Sequence, residues 1–451
     1  MTPPNTLPQH AARRAALMHT MRSLTGGGIA MVRTAPEAPR NADSDYPYRY
    51  DSHFYYLAGF TEPEAVVVLD AATNKTILFC RSKDEEREIW DGYRWGPAAA
   101  REAFGFDEAY AISELPAKLP ELLANQPAVY AQLGNAPAEA ALHTCFNTLR
   151  SQLRLGKVPP AQLRDVQLLL AEQRLIKDAT ELAIMAKAAS ISAKAHIRAM
   201  QSCRVGQREY TLEAELLHAF RSAGSQFPAY GSIVATGANS CVLHYRAGDA
   251  VLKHNDMVLI DAGCELDVYA SDITRTFPAN GRFSAEQKDV YELVLAAQSA
   301  CLEQLTPGKT FNQYNDAATR VLAQGVIDFG WVQGSLDGVI ESGSYRQFYM
   351  HKAGHWLGLD VHDGGDYRVP GTVTQTVDGK TIERPWRALE AGMVLTVEPG
   401  LYVRPAANVP EAFWNIGVRI EDDAVITKTG YELTTREVPV EVAQIEAMMR
   451  G

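Results

Sequence analysis

Apolar positions along the chain follow two periods, and the change from one to the other divides it. In the first part, Ala65-Val66-Val67-Val68-Leu69 and Thr76-Ile77-Leu78-Phe79 are short runs rich in β-branched residues. The turn-forming segment from Asp70 to Lys75 separates them, so a β-hairpin is expected. From Asp178 the period lengthens. Asp178 with Glu181 three residues on is an N-cap and its reciprocal glutamate, opening a long alanine-rich helix. A second helix is expected from near Thr211, with Leu212, Leu216 and Phe220 on one face and a stop at Gly224. A third is expected from Ser284, with Gln287 in the capping position. Its apolar positions Val290, Leu293, Val294, Ala297 and Cys301 form a stripe suited to packing on a sheet.

Strand patterns interleave with these helices. Asp256-Met257-Val258-Leu259-Ile260-Asp261 stops at Ala262-Gly263, and Tyr269 to Phe277 alternates. Met393-Val394-Leu395-Thr396-Val397-Glu398 stops at Pro399-Gly400, and Val418 to Ile426 alternates. The two pairs resemble one another, which predicts two similar halves feeding one curved antiparallel sheet. The fold class is α/β in the α+β sense. Two domains are expected, 1–172 and 173–451, with the boundary near Lys157-Val158-Pro159-Pro160 or in the helix after it. The Lys83 to Glu88 charge run reads as a solvated helix or loop. Gly26-Gly27-Gly28 lacks the residues of a phosphate cradle and reads as a loop. The aromatics Tyr46, Tyr48, Tyr50, Phe54, Tyr55, Tyr56, Phe60, Trp90, Tyr93 and Trp95 form either core or the wall of an interface or cleft.

Composition narrows the classes. The chain has 451 residues, 46% of them hydrophobic and 22% charged, as in soluble globular proteins. A net charge of −11 argues against a nucleic-acid or anionic-membrane binder. No apolar stretch approaches the roughly 18–20 residues that span a bilayer, and the first residues carry no signal-peptide pattern. Six cysteines without a C-x-x-C pair suit buried thiols in a reducing compartment. A cytoplasmic protein is expected.

Four acids stand where strands should be apolar: Asp261, Asp272, Glu398 and Glu421. A buried carboxylate costs several kcal/mol unless it is paired or binds a metal. Arg275 and Arg419 are the only cations within the same strands, and Arg419 shares a face with Glu421. Two divalent ions would balance the four charges. The segment Met350 to Asp363 supplies histidines at 351, 355 and 362. His351 and His355 have zincin spacing, but Lys352 replaces the zincin glutamate and Gly354 weakens a helix, so that reading is rejected. The expected ligand set is Asp261, Asp272, His355, Glu398 and Glu421. Oxygen-rich ligation with one imidazole suits Mn²⁺, with Co²⁺ and Zn²⁺ as alternatives. Two ions about 3.5 Å apart can share a carboxylate and a hydroxide, which predicts hydrolysis of an amide bond.

These motifs resemble the Xaa-Pro aminopeptidases (aminopeptidase P) of the pita-bread metallopeptidase superfamily. The resemblance rests on Leu259 to Cys264, Ser271 to Pro278, His355 to Asp363, Val397 to Tyr402 and Arg419 to Asp423, with Asn41 to Arg49 and Gly59 to Ala65 in the amino-terminal part. It implies a C-terminal pita-bread catalytic domain behind a smaller mixed α/β domain. It implies removal of the first residue from peptides with proline second, by attack of a metal-bridged hydroxide on the Xaa-Pro amide. It gives Glu398 the proton-transfer role and His362 the stabilisation of the tetrahedral intermediate. His244 would sit beside the metals, His351 would line the proline pocket, and Arg419 would orient Glu421 and its neighbours. Tyr402 would help bind substrate or simply pack, and Trp90 would reach a neighbouring subunit's site or pack locally. A homodimer or homotetramer is implied.

Two alternatives remain at this stage. A prolidase would cut Xaa-Pro dipeptides with the same ligands. A catalytically dead pita-bread module would bind proteins, but such modules lose the ligands, and all five are here. Methionine aminopeptidase is disfavoured by the large amino-terminal region, and creatinase by the complete ligand set. The polar stretch Tyr367 to Trp386 is longer than the bacterial pattern. It is expected to form a hairpin or loop, with Asp378-Gly379 as its turn, bordering the mouth of the site.

Overall fold

The structure is a computed structural model in which residues 7–377 and 380–450 are described. The expected turn at Asp378-Gly379 lies outside the described residues. The chain forms two compact units, Met1–Gln173 and Arg174–Gly451.

The first unit is built on a six-stranded mixed sheet. Ile29–Arg33 runs antiparallel to Val66–Asp70 and parallel to Ala128–Ala131. Val66–Asp70 and Lys75–Cys80 form the expected hairpin. Asp70 closes its turn by accepting from the backbone N–H of Ala72 and Thr73. The glycine run is a loop, as read. Gly28 has φ +114°, and a Cβ there would lie 2.5 Å from the carbonyl oxygen of Ala128, so only glycine lets the chain enter the sheet. The charge run becomes the short helix Glu85–Asp91, capped by Asp84, with no buried residue. The aromatic group divides. Phe54, Tyr55, Tyr56 and Phe60 are core, whereas Trp90 is 81% exposed and is not core packing.

In the second unit the helix Ala179–Ser202 carries the Asp178/Glu181 capping box. Ala285–Leu302 likewise carries the Ser284/Gln287 box. The helix expected from Thr211 begins two residues earlier, as Glu209–Ser222. Val290, Tyr291, Val294 and Ala297 pack with Leu401 and Val418 from the strands, so the stripe does face a sheet. Its flank meets a helix not expected from the pattern, Phe311–Asp328, where Gly325 leaves room for Leu293.

The two long alternating strands are each broken in two. Tyr269–Ala270 and Thr274–Pro278 belong to different ladders, as do Ile416–Arg419 and Asp422–Ile426. Nearly every residue in them is buried on both faces, so alternation in the sequence did not mark an exposed side. The breaks have a purpose: Asp272 and Glu421 occupy them. Asp261 ends Met257–Asp261, and Glu398 lies between Val394–Val397 and Gly400–Val403. Each of the four acids therefore sits where a short antiparallel ladder gives way to another, and the isolated pair Thr274–Glu421 links the halves. Among the described residues, no helix is long and apolar enough to cross a membrane.

At one of these junctions two backbones nearly touch. Ala262 N–H donates to Ile273 O at 3.0 Å and Ser271 N–H to Cys264 O at 3.1 Å. A Cβ on Gly263 would lie 1.7 Å from the carbonyl oxygen of Ser271. Gly263→Ala is expected to destabilise the fold by about 3 kcal/mol, because neither backbone can yield without moving Asp261 or Asp272. Chemical denaturation of the variant checks this, and a loss below about 0.5 kcal/mol would contradict it.

Candidate active site

The four junction acids open into one cavity of about 900 Å³ within the second unit, lined also by His244, His351, His355, His362 and Arg419. His355 arrives on an irregular segment that runs beside Val394–Val397. His355 N–H donates to Thr396 Oγ1, Thr396 N–H to His355 O, and Leu357 N–H to Val394 O. These bonds place His355 Nε2 3.5 Å from Glu398 Oε1 and 3.6 Å from Asp272 Oδ2. No helix forms at His351–His355, in keeping with the rejected zincin reading.

Asp272, His355 and Glu421 offer ligand atoms within 4.8 Å of one another. Asp261 is engaged otherwise: Oδ1 accepts from Tyr230 Oη at 2.5 Å and Oδ2 from Arg419 Nη2 at 2.6 Å. Arg419 thus holds Asp261, and its Nη1 donates to Tyr402 Oη at 2.9 Å. It shares Thr274 with Glu421, since Thr274 Oγ1 accepts from Arg419 Nε and donates to Glu421 Oε2 at 2.6 Å. Tyr402 in turn lies 2.8 Å from His351 Nε2, so this buried phenol bridges Arg419 and His351 and does more than pack. His362 stacks on His355, with ring centroids 3.9 Å apart. Arg275, the other candidate cation, is taken up by Asp422 at 2.8 Å and the backbone of Glu421. Trp90 belongs to the first unit and is not among the residues lining the cavity.

The electrostatics show an excess of negative charge. Burial pushes Asp272, Glu398 and Glu421 above the usual carboxylate range, and their mutual repulsion adds to it. Burial would lower His355, but Asp272 and Glu398 outweigh it and hold the imidazole up at about 9. Burial, with the Arg419 charge, takes His351 down to about 4; burial, with His355, does the same to His362. Burial raises the Tyr402 phenol to about 12. Hard carboxylate donors with one imidazole, short of positive charge and closely spaced, fit divalent cations.

Four supporting residues escaped sequence reasoning: Tyr230, the pair Thr274 and Thr396, and Glu209. Tyr230 donates to Asp261 and also reaches Asp272, and nothing around Ala229-Tyr230-Gly231 signalled it. Thr274 and Thr396 had a signal: each lies two residues from a junction acid, hence on its face of the strand. Thr396 Oγ1 donates to Glu398 Oε1 at 3.3 Å. Glu209 is the fourth. It is fully buried and accepts from Thr236 N, Asn239 Nδ2, Tyr245 Oη and Gly248 N, at 2.8 to 3.1 Å. It thereby fixes the loop that carries His244.

The segment after His362 is clamped from below. Asp363 accepts from Lys177 at 2.8 Å and also from Arg174, all three buried. Burial would raise the Asp363 carboxyl, but Lys177 and Arg174 outweigh it and hold it below its ordinary value. The folded state therefore binds this proton less readily than the unfolded one. Its contribution is complete above the unfolded value, near pH 4, and falls away as pH drops toward the lower folded value. Asp363→Asn is expected to lose about 3 kcal/mol at pH 7 by leaving buried cations short of an anion. Denaturation of both proteins should show the gap narrowing between about pH 5 and pH 3. A gap independent of pH would exclude the clamp.

The chain's relatives agree with this geometry. Residues 183–428 match metallopeptidase family M24, and residues 10–130 match the N-terminal domain of aminopeptidase P. The Xaa-Pro aminopeptidase of Haemophilus influenzae is 45% identical over 415 residues, 92% of this chain and 91% of its own. The structure of Pseudomonas aeruginosa aminopeptidase PepP has a TM-score of 0.93 at 48% identity, over 98% of both chains. Zinc-substituted Escherichia coli aminopeptidase P in complex with product has a TM-score of 0.92 at 42% identity, again over 98% of both. With both matches in order along the chain and the acid and histidine cavity inside the second, this chain belongs to metallopeptidase family M24, in its pita-bread aminopeptidase P group.

Proposed function

We propose that this protein is a metal-dependent aminopeptidase that releases the first residue of peptides whose second residue is proline. The observation that carries the proposal is the meeting of four buried acids and His355 in one cavity walled by three further histidines. Prolidase is the weaker reading, because the near full-length relatives are Xaa-Pro aminopeptidases. A dead binding module is weaker still, since every expected ligand faces the cavity. The domains are read as 1–172 and 173–451, and the two family matches fall on either side of that boundary.

Asp261, Asp272, His355, Glu398 and Glu421 would hold two divalent ions, with Mn²⁺ the first choice and Co²⁺ or Zn²⁺ the alternatives. Such ions, when bound, supply Lewis acidity that polarises the scissile carbonyl and makes water a nucleophile at neutral pH. Glu398 takes the proton of the attacking water and returns it to the proline nitrogen as the C–N bond breaks. His362 donates to the oxygen that gains charge, a contact of the kind worth roughly 3 kcal/mol of barrier, and His244 lines the cavity beside the acids. Arg419 keeps Asp261 and Tyr402 in place, and Tyr402 fixes His351 as a wall for the proline ring. A proline amide has no N–H and a restricted φ, so a shaped pocket replaces backbone pairing.

Chelated protein restored with Mn²⁺ is expected to cleave an Xaa-Pro-Yaa tripeptide, an Xaa-Pro dipeptide much more slowly, and Met-Ala-Yaa hardly at all. Glu398→Gln is expected to lose at least about 100-fold in kcat. Faster cleavage of the dipeptide would make the protein a prolidase, and no cleavage despite bound metal would revive the binding module.

Six buried cysteines, none of them in a disulfide, suit a reducing, cytoplasmic setting. Ile89 and Trp90, each 81% exposed on one short helix, support a homodimer or homotetramer. Light scattering is expected to give a mass of two or four chains, lowered in Trp90→Ser; a monomeric mass for the parent protein would rule this out.

A further inference from the structure

The segment from Tyr367 to Trp386 contributes Tyr367, Arg368 and Trp386 to the wall of the cavity, beside Phe311. Its outer part is the hairpin Gln375–Val377 with Lys380–Ile382. Its base is tied by an Arg384–Asp366 ion pair and by Arg368 N–H donating to Asp366 Oδ1 at 2.9 Å. The Arg368 guanidinium carbon lies 3.4 Å from the centroid of the Trp386 ring, and Nη1 donates to the carbonyl oxygen of Arg384 at 2.5 Å. The fork is therefore held by a ring face and a hydrogen bond. Its remaining N–H donors meet no acceptor among the described residues, although the group faces a cavity that four carboxylates share.

A peptide placed in this cavity is charged at both ends. Its ammonium belongs to the residue released, on the same residue as the scissile carbonyl, and is drawn to the acids. Its carboxylate lies on the leaving piece and must point away from them. A fixed cation on the wall repels the first and attracts the second. Three other cations line the cavity, and one of them, Arg419, is already committed to Asp261, Tyr402 and Thr274. Lys352 is exposed and flexible, and pays more entropy per contact. Arg246 is tied back to the carbonyl oxygen of Gly231, two residues along the chain from Ala229. Only Arg368 combines a planar fork, which matches a carboxylate with two parallel bonds, with an aromatic backing.

We infer that Arg368, laid against Trp386, is a carboxylate-binding subsite that reads the free C-terminus of short peptides on the leaving side. This rests on the proline-specific aminopeptidase reading. It turns the extra segment into a ruler: the peptide whose end reaches Arg368 gains a charge-assisted contact, and longer or blocked peptides do not.

The test uses Mn²⁺-loaded full-length protein and Xaa-Pro-Yaa peptides of three, four and five residues, each as free acid and as C-terminal amide. At one length the acid is expected to exceed the amide about 10-fold in kcat/KM, mainly through KM, as one charge-assisted contact allows. R368Q is expected to abolish that preference while cleaving the amide as the parent does. R368K, which keeps charge but not the fork, should keep part of it. An acid-to-amide ratio near one at every length, or a ratio unchanged in R368Q, would overturn the subsite. So would a preference that disappears in Arg246→Gln and survives in R368Q. No cleavage of any Xaa-Pro peptide by the parent would bring down the activity reading, and the subsite with it.

Discussion

Negative charge kept out of water governs this structure. Asp261, Asp272, Glu398 and Glu421 are buried together, and no arrangement of neighbouring cations in the chain balances them. Arg419 meets one of them directly and Arg275 is committed elsewhere. Such a cluster is tolerable only where the surrounding ladders over-determine each position. The chain does this by ending or breaking a strand at every acid, with a hydroxyl brought to each: Tyr230 to Asp261 and Asp272, Thr274 to Glu421 and Thr396 to Glu398. The packed strands and the helices Ala179–Ser202 and Ala285–Leu302 supply the rigidity.

The acids do not act alone. Tyr402, Arg419 and Asp261 form a continuous hydrogen-bonded line from His351 to the edge of the Asp272, His355 and Glu421 cluster. The His351 wall of the cavity and the acid cluster are therefore mechanically one piece. Arg419 touches both ends of this line, holding Asp261 and Tyr402 directly and meeting Glu421 through Thr274.

Much of this was legible before any coordinates. A carboxylate at the end of a run such as Met257-Val258-Leu259-Ile260 is so costly that its presence declares a partner, and four such residues declared cations. The capping residues Asp178 and Ser284 marked their helices because capping is local chemistry. What escaped was whatever depends on distant chain segments meeting. Tyr230 and Glu209 look ordinary in sequence, and only the fold aims them. The breaks at Asp272 and Glu421 escaped for a related reason: strands buried on both faces carry no polar side, so their pattern runs on through a change of ladder.

The buried carboxylate of Glu209 has a further meaning for how this cavity works. Its four partners are all neutral and come from Thr236, Asn239, Tyr245 and Gly248, so one side chain staples both ends and the middle of a loop to the first turn of a helix. Opening that loop would strand an anion in an apolar interior, and the loop has no inexpensive open state. His244 is consequently carried on a fixed arm. This side of the cavity discriminates among ligands by a shape made in advance, as a mould does, and not by closing around whatever has arrived.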